Sequence, residues 1–189
     1  RMANMRRYFA RQYGFLVPER KLTDDPAITP QGYRIKFHGT VMASGEIRVG
    51  DYLVVTGGGP QPNVPCEPTT EPAFGVPAVW ISEMHTGTVR RSGYTPIDNA
   101  SIILPHLRET MVSNLAQIFS YGSLRRLLER LTPEYRKLLE EIVPAKISHS
   151  ALHSVCKILL SERVSVRNVQ SILEAVAEVA AHMRRPEQM

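Results

Sequence analysis

Three side chains able to ligate a metal, His149, His153 and Cys156, stand at i, i+4 and i+7 of one stretch, which puts them on one face of a helix. Two of them could hold zinc, but zinc needs a third and fourth ligand, and no CxxC or HExxH motif supplies one. Cys156 also falls on the apolar stripe Leu152, Val155 and Leu159, so the pattern reads as a buried cysteine beside two surface histidines. Asp98, Ser101 and His106 offer an acid, a nucleophile and a base close together. No GxSxG elbow frames them, and Asp98 with Ser101 reads more simply as a helix start. Gly57-Gly58-Gly59 invites a phosphate-loop reading, but Pro60-Gln61-Pro62 follows where a helix and a lysine are needed. Paired carboxylates for acid–base work are missing too. The sequence therefore predicts no enzyme, no metal and no cofactor.

Two further features point to binding. Residues 148–182 form two helical stretches joined by a tight turn, in outline a helix-turn-helix. The second stretch offers Arg167, Asn168 and Gln170 at its start. It continues with Glu174 and Glu178, which would face phosphates badly, so helix packing is the simpler reading. The other feature is Glu71-Pro72-Ala73-Phe74-Gly75. An aromatic ring on a proline- and glycine-rich loop has little freedom, and a carboxylate nearby gives it a polar rim. Such rings are anchors in protein–protein contacts; equally, Phe74 could plug its own lobe.

The elements that must position these residues follow from periodicity. The chain has 189 residues, 43% of them hydrophobic and 22% charged, too apolar for wholesale disorder. Residues 2–13 carry apolar side chains at helical spacing before Gly14. Residues 15–22 read as extended, with Pro18 marking an edge or a strand start. Tyr33–His38 alternates apolar and basic residues as a strand with one dry face does. Val41–Ile47, Tyr52–Val55, Val76–Ile81 and Tyr94–Ile97 read as further strands, and 83–92 as a short helix. Residues 57–77, with five prolines after Pro60, read as an irregular excursion. From Asp98 onward the pattern is helical, over 98–118 with a break or kink at Pro105, then 121–131, 133–142, 149–161 and 166–182, opened by Ser120, Thr132, Ser148 and Ser165. The fold class is α+β and multi-lobed: a mixed first part, a small inserted α/β module and an all-helical back.

Net charge is +5 and the pI about 9.4. The excess sits in residues 1–50, with nine Lys/Arg against four Asp/Glu, while residues 119–189 alternate eleven against eight. Alternation of that kind reads as solvated helix faces, so no nucleic acid is expected, although a basic helical nucleic-acid-binding module is the rival reading. Two cysteines make no disulfide framework and suit a reducing compartment. No stretch approaches the ~20 apolar residues of a bilayer span, and no leader opens the chain. A first residue Arg1 suggests a piece of something longer.

The series YGFLVPERKLTDDPAITPQGYRIKFHG, EPAFGVPAVWI, SGYTPIDNASIILPHLRE, LLERL…LLEEIVP and LLSERVSVRNVQSILEAVAE resembles, in order and over essentially the whole chain, the export-gate family of type III secretion. Its last block fits the flagellar branch best, with an injectisome homologue as the alternative. The resemblance implies a soluble fragment from the cytoplasmic side of the bacterial inner membrane, without the family's membrane helices and fourth subdomain. It implies a discontinuous first subdomain (1–49 plus 99–118), an inserted second (50–98) and a helical third (119–189). Implied partners are flagellar export chaperones with their cargo, other export-apparatus proteins and, in the full-length protein, a nonameric ring of copies. The implied docking residues are Glu71, where aspartate is usual, Phe74, which matches, and Pro105, where threonine is common.

Overall fold

The computed structural model describes residues 2–17, 19 and 21–182, with side chains from Asn4 onward. The chain divides into two compact units, one of Lys21–Ser113 and one of Arg1–Arg20 with Asn114–Met189.

In the first of these, β1 (Gly32–Phe37) and β2 (Thr40–Glu46) form an antiparallel hairpin. Its two-residue turn is His38-Gly39, with φ of 48° and 81°. Two successive left-handed residues match the twist of the strands they join. Alternation works as expected: Ile35 is buried, while Arg34 and Lys36 point outward and share the Asp25 carboxylate at 3.9 and 3.1 Å.

A second sheet has the order β3-β5-β4, all antiparallel. It is built from β3 (Asp51–Val55), β4 (Cys66–Thr70) and β5 (Pro77–Ser82). Ala78, Val79, Trp80 and Ile81 are all buried because β5 is central and covered on both faces. Leu53, Ala78 and Trp80 pack with Ile102 on one face. Val54, Val79 and Ile81 pack with Val89 on the other. These covers come from α2 (Thr86–Arg91), which follows the 3-10 turn Glu83–His85, and from α3 (Asn99–Ser113). Arg48 lies 5.5 Å over the Trp80 ring and grips Glu67 with both terminal nitrogens, at 2.6 and 2.9 Å.

Three expectations are corrected in this unit. The proline-rich excursion contains β4, which tolerates Pro68 because it is an edge strand. Tyr94–Ile97 is no strand; Ile97 makes a single bridge to Leu53. α3 also continues through Pro105, so the expected break is not there. The proline is exposed, so the Ser101 carbonyl that loses its donor can turn to water. Asp98 caps α3 as expected, accepting from the Ser101 N–H at 2.7 Å.

The other unit is helical: α1 (Met2–Tyr13), α4 (Leu115–Ile118), α5 (Tyr121–Leu128), α6 (Pro133–Ile142), α7 (His149–Ser161) and α8 (Val169–His182). Among the described residues of 14–22 there is no strand; Phe15 packs edge-on against Phe119 at 5.1 Å. Ser120 and Ser148 cap α5 and α7, each accepting a backbone N–H three residues on. Ser165 does not open α8. Its hydroxyl accepts from the Arg167 N–H, and Asn168 is the cap, accepting from Ser171. The delay has a cause: Val166 is fully buried and donates its N–H to the Tyr13 carbonyl, which holds the chain out of helix. Leu152, Cys156, Leu160 and Leu173 face the core, whereas Val179 is exposed. No helix among the described residues is long and apolar enough to cross a membrane.

Gly14, at φ +94°, is where this unit is least forgiving. A Cβ there would sit 2.4 Å from the Arg167 Cα. Gly14→Ala should cost about 3 kcal/mol, from backbone strain plus overpacking. Gly93→Ala, also at positive φ (+89°) but in open space, should cost about 1 kcal/mol. Urea unfolding followed by circular dichroism separates the two; equal costs would mean that the close approach carries nothing.

Candidate functional site

Phe74 lies on the loop that joins β4 to β5. The strands pair as far as Thr70 and Pro77, so the loop is the tip of a hairpin. Its backbone closes on itself, with the Glu71 N–H donating to the Val76 carbonyl at 2.8 Å and the Gly75 N–H to the Glu71 carbonyl at 2.9 Å. Gly75 takes φ +69°, which its missing Cβ permits.

The Glu71 side chain completes the turn. One carboxylate oxygen accepts the Ala73 N–H at 2.8 Å and the other the Phe74 N–H at 2.9 Å. Glu71 is only 9% exposed, while Phe74 is 68% exposed. The carboxylate is therefore turned onto its own backbone and is not the polar rim expected of it. Hydrogen bonds from N–H groups to a charged acceptor are worth more than neutral ones, so Glu71 fixes the loop and leaves the ring in solvent. A phenylalanine plugging its own lobe is excluded by that exposure.

Behind the loop sits a buried polar pair that the sequence did not single out. The Tyr33 hydroxyl and His106 Nδ1 are 2.7 Å apart, with the rings edge to face. His106, on α3, is 6% exposed. Burial holds its imidazole below the usual 6.5, and the Glu71 charge partly offsets that. Burial and the same carboxylate push the Tyr33 hydroxyl up to about 12. Tyr33 thus keeps its proton, and the direction of its hydrogen bond to Nδ1 follows the imidazole tautomer. Residues from β1, the hairpin tip and α3 so sense one another's charge. Pro105 precedes His106 and is exposed; Glu71 and α3 are linked through His106, not through Pro105. The only sequence signals for this pair were the inward register of Tyr33 and the place of His106 beside Pro105.

The other candidates are not assembled. Asp98 caps Ser101, and His106 is taken by Tyr33. His153 Nε2 lies 2.9 Å from the Phe119 carbonyl, its ring stacked on Tyr121 at 4.3 Å. Cys156 is fully buried and its thiol is pushed up to about 11. Gly57 and Gly58 form a turn with φ of 61° and 82°. Among the described residues no three potential ligands gather for a metal.

Residues 1–189 match the model of the FHIPEP family. The chain is 34% identical over 178 residues to the flagellar biosynthesis protein FlhA of Caulobacter vibrioides, covering 94% of this chain and 25% of that protein. It thus spans about a quarter of that relative's length. Among solved structures it resembles Chlamydia pneumoniae CdsV in the structure of the CdsV and CdsO complex, with a TM-score of 0.74, 21% identity, and coverage of 95% of this chain and 55% of that one. It also resembles a chain of nonameric SctV-C from EPEC, with a TM-score of 0.61, 13% identity, and coverage of 96% of this chain and 55% of that one. At such identities the two structures speak for the fold alone. A match along the entire chain, carried on the mixed α/β fold described above, makes this protein a member of the FHIPEP family.

Proposed function

We propose that the chain is the cytoplasmic part of a flagellar type III export-gate component, on the cytoplasmic side of the inner membrane. It docks export chaperones with their cargo and so serves protein secretion and flagellum assembly. The observation that carries this reading is an aromatic ring, 68% exposed, on a loop whose backbone is fixed by a buried carboxylate. A large apolar side chain held rigidly in water loses little entropy when a partner covers it. Phe74 is the anchor, Glu71 positions it, and Pro105 adds an exposed apolar surface on α3. The expected subdomains, 1–49 plus 99–118, 50–98 and 119–189, belong to the same proposal, as does a nonameric ring in the full-length protein. A flagellar role is favoured over an injectisome one because the relative at 34% identity is a flagellar protein.

Phe74→Ala should weaken binding of a flagellar chaperone–cargo complex by about 2 kcal/mol, roughly thirtyfold in Kd. Stability should change by less than about 0.5 kcal/mol, because so little of the ring is buried. Titration calorimetry beside urea unfolding measures both, and unchanged affinity removes Phe74 from the site.

Glu71→Gln keeps the shape of the side chain but leaves one of the two loop N–H groups without an oxygen acceptor. It should weaken docking by about 1 to 2 kcal/mol. Because the carboxylate faces backbone and not the partner, that loss should be the same at low and high salt. Stopped-flow association at two ionic strengths tests this; a loss confined to low salt would return Glu71 to the rim.

His106 sets a pH dependence. Its folded pKa lies below its unfolded value, so the unfolded chain takes up the proton first. Its contribution is fully present above about pH 6.5 and is lost as pH falls below that value toward the folded pKa. Urea midpoints at about pH 7.5 and about pH 5.5 should differ more for the wild type than for His106→Gln. Equal differences would mean that another group titrates.

A further inference from the structure

In the helical unit, Arg11 of α1, Arg130 just past α5 and Arg167 just before α8 line one concavity of about 420 Å³. No lining residue is acidic. Among the described residues none of the three arginines has a carboxylate partner, although Arg6 and Arg125 in the same unit do. Three arginines lining one hollow concentrate positive charge there, and like charges gathered at one site repel one another. An entering anion relieves that repulsion, and guanidinium forks match a carboxylate in a planar, two-bonded geometry.

The hollow is built rather than incidental. Arg167 Nη1 reaches the Arg11 carbonyl at 3.4 Å, and the Val166 N–H reaches the Tyr13 carbonyl at 3.1 Å. Gly14 lets α1 close onto the Arg167 backbone at a distance no side chain would allow. Two of the walls carrying the arginines are thus locked together before anything binds. Leu127, Leu131 and Val169 line the same hollow, so it has an apolar component beside its charged one.

We propose that this hollow binds an acidic, amphipathic peptide segment of a partner protein, with a carboxylate among the three arginines and a neighbouring apolar side chain against Leu127, Leu131 and Val169. A duplex is the poorer fit. Arg167, Asn168 and Gln170 stand at the start of α8, but Glu174 and Glu178 follow on the same helix and would meet phosphates. A bilayer is poorer still, because a flat surface cannot enter a concavity of this size. The site lies in a different unit from Phe74 and does not depend on the docking proposal.

The test uses fluorescence anisotropy with a fluorescein-labelled peptide of alternating glutamate and leucine, and the same peptide with glutamine for glutamate. The intact chain should bind the acidic peptide saturably and the glutamine peptide at least about tenfold more weakly. Affinity should fall by about tenfold between about 50 and about 500 mM salt. Combining Arg11→Gln, Arg130→Gln and Arg167→Gln should weaken binding by about tenfold or more with circular dichroism unchanged, and Arg90→Gln in the other unit should have no effect. If the triple variant fails to fold, Arg130→Gln alone should still give about a threefold loss. No saturable binding, equal binding of the two peptides, or folded arginine variants as good as wild type would each overturn the proposal. So would tighter, arginine-dependent binding to random duplex DNA or to phosphatidylglycerol vesicles, which would reassign the hollow to nucleic acid or membrane.

Discussion

A loop of six residues at the end of a hairpin cannot align all of its backbone donors with its own carbonyls, and water commonly takes the remainder. Here the Glu71 carboxylate takes two of them, at Ala73 and Phe74. The tip becomes a closed unit that needs no help from the Phe74 ring. A side chain released from structural duty can stand in solvent without the loop collapsing over it. Everything proposed for this face rests on that arrangement. With the carboxylate turned outward, the loop would be floppy, the ring would fold down, and a partner would have to bear the cost of ordering it.

The arrangement holds because the loop is attached to something stiff. β5 is the central strand of its sheet and is buried along Ala78–Ile81 on both faces. One face is closed by Ile102 of α3 and the other by Val89 of α2. The same α3 carries His106, which Tyr33 of β1 holds at 2.7 Å. One helix thus covers the sheet that displays the loop and contributes the imidazole that feels the loop's carboxylate. Packing and electrostatics converge on a small set of residues, most of them far apart in sequence.

That distance explains what the sequence revealed and what it hid. Local signals were faithful: Asp98, Ser120 and Ser148 cap where their side chains allow, and the Ile35 alternation gave a true strand. Phe74 on its Pro/Gly loop was visible as a possible anchor for the same reason. The failures came where tertiary contact overrode a local rule. Ser165 is a good cap by type, but burial of Val166 delays α8 to Asn168. Pro105 should break a helix, yet on an exposed face it leaves only one carbonyl to solvent. β4 was hidden among prolines because nothing local distinguishes an edge strand from an irregular loop. Tyr33 and His106, 73 residues apart, carry no local pattern that joins them into a pair, and neither does an arginine cluster drawn from α1, the end of α5 and the start of α8.

The two residues that depart from the resembling pattern can be weighed by what their side chains touch. At position 71 the extra methylene of glutamate does not prevent the cap, since both oxygens reach N–H groups two and three residues on. That is the job a shorter aspartate does in an Asx turn. Glutamate here therefore performs that loop-closing role while Phe74 stays exposed. At position 105 the change is different in kind. Proline exchanges a hydroxyl for an apolar ring on the exposed side of α3, while the buried polar link behind it passes through His106 and is untouched. Under the docking proposal, a difference in partner preference would arise at Pro105 and not from a change in how the loop is held.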